Sequence, residues 1–145
     1  MKTRITTFLV AIALSSSFVA CTQSKSDESE IRAVIEGFSS GVDQQKGIMI
    51  SDAFREGAGF YATNNRDKII SVTPTQLADM HDAKKFGGRK RNLSIEEVDI
   101  TDDIVASAKV IAQDDVVYYA YYVTLSKIEG KWLIQSVLQH SKKKV

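Results

Sequence analysis

The second half of the chain alternates apolar and polar residues with a period of two, which constrains the fold more than any other feature. Four such runs follow one another, at residues 93–100, 104–112, 116–125 and 131–140. Alternation of this kind gives a β-strand one apolar face. Three residues separate the first three runs, at 101–103 and 113–115, and a turn at Glu129 and Gly130 lies between the last two. The pattern therefore predicts four strands joined as an antiparallel meander.

The first half of the chain has a helical period instead. Apolar residues follow one another at steps of three and four, which predicts an amphipathic helix; they are Ile31, Val34, Ile35, Phe38 and Val42. Asp27 and Glu30 are predicted to cap its N-terminus. A second, short helix is expected at residues 48–54.

A hairpin and a third helix complete the first half. Residues 57–63 and 68–72 read as two strands around the polar turn 64–67. Residues 73–76, Thr-Pro-Thr-Gln, predict a capped helix start. Leu77, Met80 and His81 are expected on its inner face, and Gly87 and Gly88 at its end. The chain length fits one domain, and the order of elements predicts an α+β fold: a curved mixed or antiparallel sheet around about three helices, a cone-shaped barrel.

The final hairpin allows a prediction of register. A two-residue turn at Glu129 and Gly130 pairs Leu125 with Ile134. Continued without interruption, this register pairs Tyr121 with Leu138 and Tyr119 with His140, and places them with Ser136 on the interior face beside Trp132. The opposite face is too apolar for water alone, which predicts that a second copy covers it and forms a homodimer. The residues predicted there are Tyr118, Tyr122, Leu133, Gln135 and Val137.

The N-terminus has the order of an export signal. Lys2 and Arg4 precede an apolar run, and small residues follow it. Residues 18–21, Phe-Val-Ala-Cys, resemble the lipobox of bacterial lipoproteins, in which the chain is cut before the cysteine and the thiol is acylated. This resemblance implies a signal peptide at 1–20, a lipidated Cys21 with a flexible tether at 21–29, and a domain at 30–145.

The resemblance also bears on location. Thr22, in place of an aspartate, is similar to the sorting pattern of the outer membrane, which implies an anchor facing the periplasm. The alternative is plain secretion of a soluble protein after cleavage near Ala20. A disulfide within the chain is excluded, because Cys21 is the only cysteine.

Residues 121–134, YYVTLSKIEGKWLI, resemble the end of lumazine-binding-type proteins of the nuclear transport factor 2-like superfamily, which has a cystatin-like fold. Residues 127–132, Lys-Ile-Glu-Gly-Lys-Trp, and Ile134 carry the match. The resemblance implies a conical cavity and dimerisation through the outer sheet face. Pocket residues predicted from it and from the register are Phe38, Phe54, Tyr61, Met80, His81, Tyr119, Tyr121, Trp132, Ser136 and His140.

Catalytic groups are sparse in this pattern. Isomerases of the superfamily hold their base near the place of residues 61–63, where this chain has no carboxylate. His81 and His140, without a spaced acid or thiol, make a poor zinc set, so no metal or cofactor is predicted. We therefore expect a binding module for a small apolar or aromatic molecule or a partner protein. The alternatives are a hydrolase or isomerase using Tyr119, Tyr121 and His140, and a structural module whose pocket is self-filled.

Charge adds little. The formal net charge is +1, which gives no overall attraction for nucleic acid, and none is predicted as a partner. The basic run at 84–91 reads as a solvated loop, or as a patch for anionic headgroups or an anionic envelope polymer. Asp102, Asp103, Asp114 and Asp115 read as turn residues, because they lack the spacing of a calcium loop.

Overall fold

A computed structural model describes residues 17–63 and 68–145 of the chain. Its elements, in chain order, are α1 (Ser17–Gln44), α2 (Gly47–Ser51), β1 (Phe54–Thr63), β2 (Ile69–Val72), α3 (Pro74–Asp82), β3 (Asn92–Thr101), β4 (Val105–Gln113), β5 (Val117–Ile128) and β6 (Lys131–Lys143). The strands form one mixed sheet in the order β2-β1-β6-β5-β4-β3. Strands β1 and β6 are parallel, and β2 and β3 are the edges. The α+β fold is confirmed, but the sheet stays open and does not close into a barrel.

The core lies between α1 and the inner face of the sheet. Ile31 and Ile35 of α1 are almost fully buried, as are Leu125 of β5 and Ile134 of β6. The apolar face of α1 therefore packs against the apolar face of β5 and β6, and this contact removes both faces from water.

Helix α3 begins as the sequence predicts. The Thr73 Oγ1 accepts a hydrogen bond from the Gln76 amide at 3.2 Å, and the Gln76 Oε1 accepts one from the Thr73 amide at 2.9 Å. This capping box satisfies donors that a helix start leaves open. The helix ends at Asp82, before the predicted glycines. Gly87 instead lies against α1, where an added Cβ would meet the Val42 carbonyl oxygen.

Helix α1 begins much earlier than the capping prediction. It runs from Ser17, so Asp27 is an interior residue of the helix and the cap assigned to it is wrong. Asp27 is also 2% exposed, so the prediction of a flexible tether at 21–29 does not hold for this helical, buried residue. Burial against the sheet stabilises a turn of helix that its polar sequence alone does not favour. Residues 1–16 of the predicted signal peptide, the Cys21 side chain and the predicted turn at 64–67 lie outside what is described.

A β-bulge alters the register of the final hairpin. Leu125 pairs with Ile134 as predicted, but Thr124 pairs with Ser136, so Gln135 is an extra residue in β6. Beyond it Tyr121 pairs with Gln139 and Tyr119 with Ser141, and the predicted partners Leu138 and His140 are wrong. Side chains alternate between faces, so an insertion of one residue moves every later side chain of β6 to the other face.

Among the helices described, none has the length and apolarity needed to cross a membrane.

Candidate functional site

A cavity of about 330 Å³ opens between the inner face of the sheet, the C-terminal half of α1, helix α3 and the loop 83–91. Its wall is largely apolar, from Phe38, Val42, Phe60, Ala62, Ile70, Val72, Leu77, Met80, Phe86, Tyr119 and Tyr121. Its polar lining comes from Thr63, His81, Arg89, Arg91, Asp114, Gln139 and Ser141. The exposed side chains of Ile70, Phe86 and Arg89 mark its mouth. The volume lies at the lower end of the range for small-molecule sites.

Five of the ten predicted pocket residues line this cavity: Phe38, Met80, His81, Tyr119 and Tyr121. Phe54 and Trp132 are instead buried in the core. The Phe54 ring meets Phe38 edge-on at 5.4 Å, so Phe54 supports the cavity wall from behind.

The other three predicted residues lie away from the cavity. The Tyr61 side chain is exposed and Tyr61 pairs with Leu138. The bulge places Ser136 and His140 on the outer face of β6. The Ser136 hydroxyl lies 2.7 Å from that of Thr124, and the His140 Nδ1 lies 3.2 Å from the Thr63 Oγ1. The predicted combination of Tyr119, Tyr121 and His140 is therefore not brought together.

Arg91 ties three elements together at the inner end of the cavity. Its Nε forms an ion pair with Asp43 at 2.5 Å, and its Nη1 donates to the Tyr121 hydroxyl at 2.6 Å. Its Nη2 donates to the Ser39 carbonyl at 3.3 Å and to the Ser39 hydroxyl at 3.2 Å. The guanidinium lies 5.4 Å from the centre of the Tyr119 ring. Only 6% of the side chain is exposed, so these contacts replace the water that a buried cation loses.

The two cavity tyrosines form a flat aromatic wall. Their rings are stacked with centroids 6.1 Å apart and planes 14° apart. Burial raises the pKa of Tyr121 to about 12, although Arg91 acts in the opposite direction. Tyr121 is therefore a neutral phenol that accepts from Arg91 at physiological pH.

His81 faces the cavity from α3 and is fixed by its own helix. Its Nδ1 lies 2.8 Å from the Leu77 carbonyl oxygen, and because a carbonyl only accepts, Nδ1 is the donor. No hydrogen bond from a described residue reaches its Nε2. The side chain is 4% exposed.

Arg89 and Asp114 form the polar side of the mouth. The Arg89 Nε lies 3.1 Å from the Asp114 Oδ2, without the alignment of a hydrogen bond. The Asp114 Oδ1 accepts from the amides of Val117 and Val116 at 2.7 and 2.8 Å. These backbone hydrogen bonds lower the pKa of Asp114, so it stays ionised. This is the turn role that the sequence predicts for Asp114.

The outer sheet face differs from its prediction at one residue. Val137 is fully buried on the inner face, because the bulge reverses its side. Tyr61, Leu138 and Tyr122 form one row across β1, β6 and β5 and are 40%, 46% and 57% exposed. Tyr118, Leu133 and Gln135, also predicted there, are half-buried.

Sequence reasoning missed most of the polar lining. The sequence interpretation places Arg91 in a solvated basic loop. Arg91 nevertheless precedes Leu93 of β3 by two residues and Ile95 by four. The period of two, continued toward the N-terminus, places Arg91 on the inner face, so this signal was available. Gln139 and Ser141 carried no such signal, because the bulge decides their side. The described residues hold no cluster of three acids, histidines or cysteines that could bind a metal.

Solved structures with the same fold are numerous. A nuclear transport factor 2-like protein of unknown function from Shewanella baltica OS155 superposes with a TM-score of 0.73 at 20% identity, covering 90% of this chain and all of its own. One from Methylobacillus flagellatus KT gives 0.71 at 24% identity, covering 81% and 93%. A ketosteroid isomerase-like protein from Erwinia carotovora atroseptica SCRI1043 gives 0.63 at 12% identity, covering 78% and 94%.

The sequence itself points to one family. No curated protein sequence matches the chain. Residues 26–138 match the family described as "Putative lumazine-binding", which covers α1 from its buried acid onward, the cavity wall and most of β6. The chain therefore belongs to this family, within the nuclear transport factor 2-like fold.

Proposed function

We propose that this protein binds a small, mainly apolar or aromatic molecule in its cavity and does so without catalysis. The observation that carries the proposal is the open cavity of about 330 Å³ with an aromatic wall and a polar mouth. A ligand that fills it would bury apolar surface on Phe38, Leu77 and Met80, which favours binding. An open cavity is also at odds with a self-filled pocket.

The state of the ionisable groups favours binding over proton transfer. General acid–base catalysis needs a group whose pKa lies near the working pH. Tyr121 is a neutral phenol with a pKa of about 12, and Asp114 is held ionised by backbone amides. The one described hydrogen bond of the His81 imidazole ring is to a carbonyl of its own helix. His140, which the enzyme alternative requires, lies on the outer face of the sheet.

The proposal is tested with a neutral naphthalene dye whose emission shifts to the blue in apolar surroundings, 6-propionyl-2-dimethylaminonaphthalene. We expect saturable 1:1 binding with a blue shift. Ala62→Leu adds bulk inside the cavity and is expected to weaken binding about tenfold, because overfilling costs about 1–3 kcal/mol and about 1.4 kcal/mol is a factor of ten. Ser71→Leu adds a similar side chain at an exposed position on β2 and should leave binding unchanged. Absence of saturable binding, or equal effects of the two variants, would contradict the proposal.

We further propose that Cys21 carries acyl chains that hold the protein to an envelope membrane, with the outer membrane facing the periplasm as the expected place. The support is the export-type order of residues 1–20 and the lipobox-like residues 18–21. Several acyl chains on one residue give lasting attachment. Expression in a Gram-negative host with radiolabelled palmitate should label the chain and recover it with the outer membrane. Cys21→Ser should abolish both; a membrane-free, unlabelled wild-type chain would favour secretion instead.

We also propose that a second copy covers the outer face of the sheet. The support is the exposed apolar row of Tyr61, Leu138 and Tyr122, since such rows on a sheet face mark interfaces. Sedimentation of the Cys21→Ser chain should give twice the monomer mass. Tyr122→Glu should give monomers, while Val116→Glu, at an exposed apolar residue before β5, should not. A monomeric parent chain would refute the dimer.

A further inference from the structure

The loop 83–91, which supplies part of the cavity lining, carries a concentration of positive charge. Arg89 lines the cavity, and Lys84, Lys85 and Lys90 are exposed on the same loop. The end of β6 lies beside it, because the Lys144 amide donates to the Val116 carbonyl at 2.8 Å, two residues from Asp114, the partner of Arg89. The four exposed cations of the loop outnumber three nearby acids, which are Asp82, directly before the loop, and Asp114 and Asp115. A mouth of this composition raises the local concentration of anions and speeds their entry.

The two guanidinium groups of the cavity have different tasks. Arg91 is enclosed by Asp43, Ser39 and Tyr121 and belongs to the framework. Arg89 lines the cavity with a half-exposed side chain, and its one polar partner among the described residues is Asp114. That contact involves Nε, so both Nη atoms of Arg89 are available to a ligand. A guanidinium with two available nitrogens matches the two oxygens of a carboxylate.

The opposite wall suits an aromatic body. The Tyr119 and Tyr121 rings are stacked and nearly parallel, and Phe38, Leu77 and Met80 complete the wall. A volume of about 330 Å³ accommodates one or two rings with a small polar group.

We propose that the ligand is a small aromatic carboxylate, with its rings on the tyrosine wall and its carboxylate on the Arg89 guanidinium at the mouth. This inference rests on the proposed ligand-binding function of the same cavity. Asp114, held ionised beside Arg89, attracts the guanidinium on its Nε side, and neither Nη atom has a partner among the described residues.

The test compares two probes of nearly equal shape, 2-naphthoate and the neutral 2-naphthamide, by titration calorimetry on the full chain. We expect the carboxylate to bind at least about tenfold more tightly, the usual gain from a charge-assisted hydrogen-bonded pair. Arg89→Gln should lower the affinity for 2-naphthoate about tenfold or more and that for 2-naphthamide by less, because the amide carbonyl accepts a hydrogen bond but carries no charge. An unchanged midpoint of denaturant unfolding should show that the variant keeps the fold. Lys90→Gln removes the same charge from the next residue, which does not line the cavity, and should lower carboxylate affinity by less than about threefold.

The outcomes separate the two proposals. Equal affinity for both probes, or equal losses in Arg89→Gln and Lys90→Gln, would overturn the carboxylate site while leaving a ligand-binding cavity. Binding of neither probe, together with no binding of the neutral dye above, would overturn the cavity function and this inference with it. Preferential carboxylate binding that Arg89→Gln abolishes supports both.

Discussion

Two buried ion pairs hold α1 in place, one at Asp27 in the interior of the helix and one at Asp43 at its C-terminal end, and the pairs are built in opposite ways. At the first site, the Asp27 Oδ1 accepts from the Lys127 Nζ at 2.6 Å and from the Trp132 Nε1 at 3.1 Å. At the second site, Asp43 pairs with Arg91. At the first site the acid is the more buried partner, with 3% of its side chain exposed against 19% for Lys127; at the second the cation is, with 6% against 18%.

The surroundings of the two pairs differ as well: Trp132 beside Asp27 belongs to the packed core, and Arg91 beside Asp43 lines the cavity. A carboxylate buried on the helix draws two donors of the sheet toward α1, and the indole of Trp132 fills the space between them. A guanidinium has five donors in one plane, so Arg91 can reach α1 and Tyr121 and still present its face to Tyr119. The Arg91 side chain, from the residue just before β3, thus lies at the inner end of the cavity and joins α1 to the two tyrosines of β5.

The largest effect is expected from Arg91→Ala. It leaves Asp43 unpaired and removes donors from Tyr121 and Ser39, and breaking such a buried pair costs about 3–5 kcal/mol. Denaturant unfolding should show this loss. Arg91→Lys should restore part of it, because one ammonium cannot replace the fork of donors. A loss of stability below about 1 kcal/mol in Arg91→Ala would mean that the structure around the cavity does not depend on this ion pair.

Replacement of Gly87 should have the next largest effect, since this residue closes the loop 83–91 onto α1. Gly87 has φ +73°, and an added Cβ would meet the Val42 carbonyl. Gly57 has φ +75° with open space around it, so Gly57→Ala is a control for backbone strain alone, about 1–2 kcal/mol. Gly87→Ala should cost more in denaturant unfolding and should also weaken binding of the naphthalene dye. Equal costs for the two variants would show that the loop does not need its close contact.

The smallest effect is expected from Asp27→Asn, which keeps an acceptor for Trp132 but loses the charge. The Tm should fall by about 5 °C at pH 7. The hydrogen bond from Lys127, followed by that from Trp132, lowers the pKa of Asp27 below its ordinary 3.8. A lowered pKa stabilises the fold above the ordinary value, and this stabilisation is lost as the pH falls through the folded value.

Thermal unfolding between pH 7 and pH 2 checks the sign of this effect. The Tm difference between the wild type and Asp27→Asn should be constant down to about pH 4 and should shrink below it. A difference that grows on acidification would contradict the proposed charge state of Asp27. Lys109→Met, which removes an exposed pair with Glu96, should leave the pH profile of this difference unchanged.

The sequence predicted most elements because their signals are local. The capping box at Thr73 and Gln76 depends on residues three apart, and the turn at Glu129 and Gly130 on two neighbours. Both are confirmed. Five of the residues predicted from the family resemblance and the register line the cavity. The early start of α1 was not predicted, because its polar residues 25–29 are stabilised by contacts of Asp27 with residues about 100 positions away.

The sequence by itself determined that this chain builds an antiparallel meander against an amphipathic helix, because periods of 2 and 3.6 are properties of neighbouring residues. Only the tertiary structure decided which side chains of β6 face the cavity. Strand β6 pairs with β5 on one side and with β1 on the other, and one extra residue, Gln135, is accommodated between them with its side chain bound by the Arg55 Nη1 at 2.6 Å. A single insertion reverses the face of all residues that follow it. Because of the Gln135 bulge, Gln139 and Ser141 line the cavity instead of the predicted Ser136 and His140. No local signal in the sequence marks the position of this bulge.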